Sequence, residues 1–159
     1  MFKLSKTTDY GIVLLAQLAG AEAGRSLNAR ELAAGSDLPV PMVSKVLKAL
    51  AREGLLVSQR GAKGGYSLAR PPEELPVADV IRVLEGPLAL TDCAIGPAHC
   101  AHESACVVRE PWQQISRVVE RALADISLAD LVSGRGAAAN PTPVLQIERT
   151  PSALDRSPA

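Results

Sequence analysis

Three cysteines, Cys93, Cys100 and Cys106, fall in one short stretch that reads Cys-Ala-Ile-Gly-Pro-Ala-His-Cys-Ala-His-Glu-Ser-Ala-Cys. The rest of the 159-residue chain has none. Three thiols cannot all pair as disulfides within one chain, so a disulfide staple explains them poorly. Gly96 and Pro97 oppose a regular helix, which predicts a flexible loop able to turn three sulfurs inward. As thiolates, the three are soft ligands for a metal ion or cluster, with a fourth ligand supplied from elsewhere. The plain competitor is three inert buried cysteines, since free cysteine is a common core residue.

The elements that must position this stretch are helices built on aliphatic residues. The hydrophobic share is 47%, with one Phe, one Trp and two Tyr, so the core falls to Leu, Val, Ile and Ala. Formal net charge is zero but unevenly spread. Residues 41–70 carry Lys45, Lys48, Arg52, Arg60, Lys63 and Arg70 against Glu53 alone. Residues 71–110 carry Arg82 and Arg109 against Glu73, Glu74, Asp79, Glu85, Asp92, Glu103 and Glu110. A basic segment beside an acidic one predicts a polyanion contact confined to one face, with ordinary solvated surface as the competitor. Lys3 and Lys6 before the run Tyr10 to Ala21 loosely resemble a signal peptide, but Asp9 and Gln17 interrupt it. The run is too short to span a bilayer. A cytoplasmic protein without a membrane partner is expected, which suits reduced thiols. No paired carboxylates in a likely cleft and no Ser/His or Cys/His nucleophile pattern point to an enzyme.

Thr7 or Thr8 can cap a first helix, whose apolar face is Ile12, Leu15, Leu18 and Ala19 and which Gly20 and Gly24 end. Asn28 followed by Glu31 has the logic of a capping box and opens a second helix, Ala29 to Ala34. Gly35-Ser36-Asp37 is the expected turn, and Leu38-Pro39-Val40-Pro41 leads into a third helix. There Val43, Val46, Leu47 and Leu50 form the buried stripe, while Met42, Ser44, Lys45, Lys48 and Arg52 point away from it. This is the pattern of a helix-turn-helix, whose second helix enters the DNA major groove. Any amphipathic helix pair can look similar, but the next segment strengthens the reading. Leu55 to Ser58 and Tyr66 to Ala69 read as two short strands joined by the glycine-rich Gln59 to Gly65. A hairpin directly after the recognition helix is a wing, with Arg60 and Lys63 placed to meet phosphates or the minor groove. A phosphate-cradling nucleotide loop is the rival, disfavoured by the lack of a P-loop lysine pattern and of a helix after the glycines.

Pro71-Pro72 closes this unit, and the residues after it read as a linker. Val77, Val80, Ile81 and Leu84 mark a fourth helix, stopped by Gly86-Pro87. Beyond the cysteines, Ile115, Val118, Val119, Ala122, Leu123 and Ile126 predict a long helix from about Val107 or Pro111 to Asp125. So apolar a helix in so small a chain is a candidate for pairing with its copy in a two-fold dimer. Ser127 to Val132 forms a last helical turn, and 135–159 reads as a disordered tail. The expected fold is mainly α: a winged helix-turn-helix with a two-stranded wing and a long dimerisation helix. Its divisions are a winged-helix DNA-binding unit at 1–72, the cysteine loop and dimerisation helix at 73–134, and the tail.

These features together resemble the winged-helix regulators of iron–sulfur cluster biogenesis, the family of IscR and NsrR, most of all the SUF-system assembly regulators. The resemblance covers residues 1 to about 133 and rests on several segments. They are Leu4-Ser5-Lys6-Thr7-Thr8-Asp9-Tyr10-Gly11, Val43-Ser44-Lys45-Val46-Leu47-Lys48, Arg60-Gly61-Ala62-Lys63-Gly64-Gly65-Tyr66, Leu84-Glu85-Gly86-Pro87, the three cysteines with His102-Glu103-Ser104-Ala105-Cys106, and Ser127-Leu128-Ala129-Asp130-Leu131. It implies a homodimer that binds a double-stranded DNA operator, probing it with Met42, Ser44, Lys45, Lys48, Arg60 and Lys63. It also implies a 2Fe-2S or 4Fe-4S cluster on Cys93, Cys100 and Cys106. IscR-like members have a histidine three residues after the last cysteine; here Arg109 stands there and cannot ligate. Asp9 matches the aspartate that NsrR-like members supply from the partner subunit, and His99 and His102 are local alternatives. The implied function is a repressor of SUF-type assembly genes. A nitric-oxide or redox sensor of the same family, and a winged-helix protein with structural zinc, are the alternatives.

Overall fold

The computed structural model describes residues 3–22, 25–61, 64–96, 99–100 and 106–133. The chain runs α1 (Lys6–Ala19), α2 (Ala29–Ser36), α3 (Val40–Arg52), β1 (Leu56–Gln59), β2 (Gly65–Leu68), a 3₁₀ turn (Pro72–Glu74), α4 (Val77–Glu85), α5 (Asp92–Ile95), α6 (Arg109–Ala124) and α7 (Leu128–Val132). The expected tail at 135–159, Lys63 and His102 lie outside the described residues.

The core is aliphatic, as the composition predicts. Leu14, Leu15 and Leu18 of α1 meet Leu32 of α2 and Val43, Val46, Leu47 and Leu50 of α3. Leu55, Leu56, Leu75, Val80 and Leu128 complete it. α1 is central and packs against α2, α3, α4, α7 and β2. At Gly11 the approach of α4 is so close that an added Cβ would sit 2.3 Å from Leu84 Cδ1. Glycine is kept there for space rather than for backbone freedom.

The start of α1 differs from expectation. Ser5, not Thr7 or Thr8, is its cap, its side chain accepting from the Thr8 amide. Thr8 is fully buried, and its hydroxyl donates to the Glu85 carboxylate, which also accepts from the Ser5 amide at 2.7 Å. Glu85 ends α4, where a carboxylate opposes the helix dipole, but it faces the positive N-terminus of α1. The Thr8 hydroxyl and then Ser5 hold its carboxyl below its ordinary value. Because the folded-state value is depressed, this contribution to stability is present at neutral pH and fades as pH falls through that value. Glu85→Ala should therefore destabilise by about 1 kcal/mol at neutral pH, the low end for a charged hydrogen bond because the site is solvated. Urea midpoints across a pH series should show parent and variant converging in acid.

α2 opens with the predicted capping box of Asn28 and Glu31. It runs two residues further than expected, through Gly35 and Ser36, because the Ser36 hydroxyl bonds back to the Leu32 carbonyl at 2.7 Å. The reversal thus falls on Asp37, Leu38 and Pro39, with Asp37 itself in the left-handed region (φ 54). Asp tolerates that conformation better than most side chains. Gly35 lies close to α1: a Cβ there would sit 2.8 Å from Gln17 Oε1, and that flexible side chain would have to move aside.

α3 ends at Gly54 (φ 75), where the Leu55 amide reaches the Leu50 carbonyl at 3.0 Å and the Gly54 amide reaches Ala51 at 3.2 Å. These are the two bonds of a Schellman stop. β1 and β2 pair antiparallel, Leu56 opposite Leu68 and Gln59 opposite Gly65, each strand one residue from its expected bounds. Leu27 pairs with Tyr66 on the far edge of β2, with bonds of 3.0 and 2.8 Å. The wing is therefore tied near its loop end to the residue just before the α2 cap.

The expected linker after Pro72 is instead part of the core. Leu75 is fully buried, and its carbonyl accepts from the Leu128 amide at 2.8 Å. The Val77 amide bonds to the Ile126 carbonyl at 2.9 Å. An isolated leucine among prolines and glutamates shows no periodicity, yet a contact fifty residues away buries it.

Candidate nucleic-acid interface and thiol site

α3 presents one open line. Pro41, Lys45, Lys48 and Arg52 are exposed and recur at four- and three-residue spacing, so they share a face. Ser44 beside them is half-buried. Met42 corrects the sequence reading: it is half-buried and packs on the core, because it flanks Val46 one turn on. Val40 and Pro41, not singled out from sequence, are exposed at the helix start. Their signal was available, since they lie one turn before Ser44 and Lys45. Arg60 is exposed where the hairpin loop begins.

A chain of ion pairs runs from the wing to the far side of the subunit. Arg70, just past β2, meets Asp79 of α4 at 3.0 Å. Asp79 meets Arg82 at 2.9 Å, and Arg82 meets Glu120 of α6 at 2.8 Å. Each pair is partly solvated and worth little alone; Arg82–Glu120 is the one that joins α4 to α6.

In sequence the thiols fall between those two helices. Cys93 is buried within α5, a single helical turn where a loop was expected. Gly96 ends that turn rather than preventing it. Cys100 and Cys106 are half-buried, and all three are free of disulfides. α6 holds the approach: Gln113 Nε2 donates to the Cys93 carbonyl at 3.0 Å, and the Leu90 amide donates to Ser116 Oγ at 3.2 Å. Asp9 is exposed on α1 and His99 is exposed beside Cys100. No three His, Cys, Asp or Glu side chains among the described residues form a metal-holding group within one chain. The donor chemistry nonetheless fits iron–sulfur ligation, whose ordinary ligands are cysteine thiolates.

α6 fully buries a single side chain, that of Ser116. Val108, Trp112 and Ile115 are exposed at 48%, 39% and 43%. Half-buried Val119 and Ala122 continue the same line, spaced as the seam of paired helices is spaced.

A helix-turn-helix followed by a two-stranded wing, with a basic outer face on its second helix, defines a winged-helix transcriptional regulator. The chain belongs to the Rrf2 family, described as iron-dependent transcriptional regulators, which it matches over residues 4–134. It is 31% identical over 133 residues to the HTH-type transcriptional regulator Rv1287 of Mycobacterium tuberculosis, covering 83% of this chain and 82% of that one. Its fold is similar to that of CymR, the global cysteine regulator of B. subtilis, with TM-score 0.68 and 30% identity over 84% of this chain and 98% of that one. IscR of T. potens gives TM-score 0.64 and 29% identity over 88% and 93%. No described helix is long and apolar enough to cross a membrane.

Proposed function

We propose that the protein is a homodimeric, cytoplasmic repressor that binds a palindromic operator before SUF-type iron–sulfur assembly genes and responds to cluster supply. The observation that carries this reading is three disulfide-free thiols on the segment between α4 and α6 of an Rrf2-family regulator. Residues 1–72 read DNA; residues 73–134 sense and dimerise.

Cys93, Cys100 and Cys106 would hold a 2Fe-2S or 4Fe-4S cluster, which supplies a reversible tie among thiolates that oxidants or scarcity can undo. Ligation would tie Cys100 and Cys106 to Cys93, which α6 already holds, and so would bias the angle between α4 and α6. The Arg82–Glu120 and Arg70–Asp79 pairs carry the resulting angle towards the wing. In a two-fold dimer the same angle sets the spacing of the two α3 helices, which must match half-sites about 34 Å apart. DNA affinity then follows thiol ligation as a coupling between two sites.

Asp9 of the partner subunit is proposed as the fourth ligand, since Arg109 replaces the matching histidine. Asp9→Ala should shorten the lifetime of the visible chromophore more than His99→Ala or His102→Ala does. A histidine variant that alone abolished it would establish local ligation instead. The seam Val108-Trp112-Ile115 is proposed as the dimer contact. Ile115→Glu should shift sedimentation from dimer to monomer and weaken operator binding with it.

A regulator of cysteine supply without a metal is the second reading, favoured by the structural likeness to CymR. Anaerobic purification with a visible spectrum, iron and sulfide assays, then DNA selection with holo- and apoprotein separate the two. A brown protein with matched iron and sulfide supports the proposal; a colourless one without either metal or sulfide overturns it.

A further inference from the structure

Thr91 stands at the cap of α5, where a threonine hydroxyl ordinarily accepts a backbone amide two or three residues on. It makes no such bond here. Its Oγ1 lies instead 3.2 Å from Cys93 Sγ. Cys93 is only 6% exposed, so water competes little for that contact. α6 fixes both flanks of the pair, through Ser116 to the Leu90 amide and through Gln113 to the Cys93 carbonyl. Thr91 is β-branched, so its χ1 is restricted and its hydroxyl direction is largely set by the backbone.

Either atom can be the donor while the thiol keeps its proton. A thiolate has no proton to give, so on ligation the Thr91 hydroxyl must be the donor. We propose that Thr91 is a positioning residue for Cys93, its hydroxyl donating to the ligand sulfur and tuning the reduction potential of the cluster. This rests on the cluster-binding reading above. Hydrogen bonds to ligand sulfur are among the factors that set such potentials, and a donor there favours the reduced, more negative state. Partners of this kind also steady the ligands themselves, with losses of roughly 10–100-fold in metal affinity or activity when removed.

Thr91→Val keeps the shape and β-branching and removes the donor; Thr91→Ser keeps the donor. All three proteins are reconstituted anaerobically with iron and sulfide. Their potentials are measured by spectroelectrochemistry and the rate of bleaching by an iron chelator is followed. The expected result is a lower potential and roughly tenfold faster bleaching for Thr91→Val, with Thr91→Ser close to the parent. A coloured parent with Thr91→Val at the same potential overturns this role alone. Equal shifts in both variants also overturn it, since the side chain would then act by packing. A parent that takes up no cluster overturns the cluster-binding reading, and this inference falls with it.

Discussion

Replacing Cys93, Cys100 or Cys106 with alanine, one at a time, should each remove most of the visible colour of protein purified without oxygen. All three thiols are free of disulfides, so each is available as a ligand, and a soft metal site that loses one of three thiolates keeps too few strong donors. Cys93→Ala should also abolish reconstitution, because Cys93 is the sulfur that α6 and Thr91 hold in place. Reconstitution of Cys100→Ala and Cys106→Ala should leave a weak, short-lived chromophore. The same variants should lose the difference in operator affinity between protein handled with and without oxygen. Visible spectra with iron and sulfide assays check the first expectation, and fluorescence anisotropy on operator DNA checks the second. A fully coloured triple variant would end the cysteine-ligand model.

On the DNA side, Lys48→Ala should weaken binding to every sequence alike and reduce the salt slope by about one. Lys48 is exposed on the open face of α3, and a flexible ammonium there serves as a phosphate contact. Lys45 and Ser44 lie nearer the helix start, the end that meets base edges. Lys45→Ala should shift sequence preference, at about 1–3 kcal/mol for a lost base contact. Pro41, on the same line one turn earlier, offers an apolar surface that a thymine methyl can meet. Arg60→Ala should matter most on operators with a narrow minor groove. Binding across a randomised site library at several salt concentrations tests all three. Parent-like preference, affinity and salt dependence in every variant would refute the winged-helix interface.

Much of the fold was legible where signals were local. The Asn28/Glu31 box, the α3 stripe and the Gly86 stop each depend on residues a turn or two apart, and each stands where the sequence placed it. Some misses were local too, the Ser36 bond that extends α2 and the turn of α5 among them; the others were decided at long range. Ser5, Thr7 and Thr8 are all competent caps; Glu85, far along the chain, selects Ser5 by drawing the Thr8 hydroxyl inward. Leu75 looked like linker because the segment that buries it follows α6. Met42 looked outward because its neighbour Val43 takes the stripe, yet it packs on the edge of the core. At the site, the residue types were legible and the supports were not. Nothing in the sequence links Gln113 or Ser116 to the segment around Cys93, since only folding brings α6 beside α5; Thr91, two residues from Cys93, lay within local reach and carried no signal of its own.

The burial pattern of α6 has a consequence for how the protein must be handled. α6 packs on α4 and α5 yet completely buries only a serine and leaves Trp112 and Ile115 open, and most of a helix's stability comes from packing its apolar face. In the proposed dimer its order would be second-order in protein, supplied by mass action from a second copy. The melting temperature should rise with concentration, and amide exchange along 109–124 should quicken on dilution while α1 and α3 stay protected. Below the concentration at which subunits pair on their own, operator DNA itself would become part of what keeps α6 folded, by holding two subunits together.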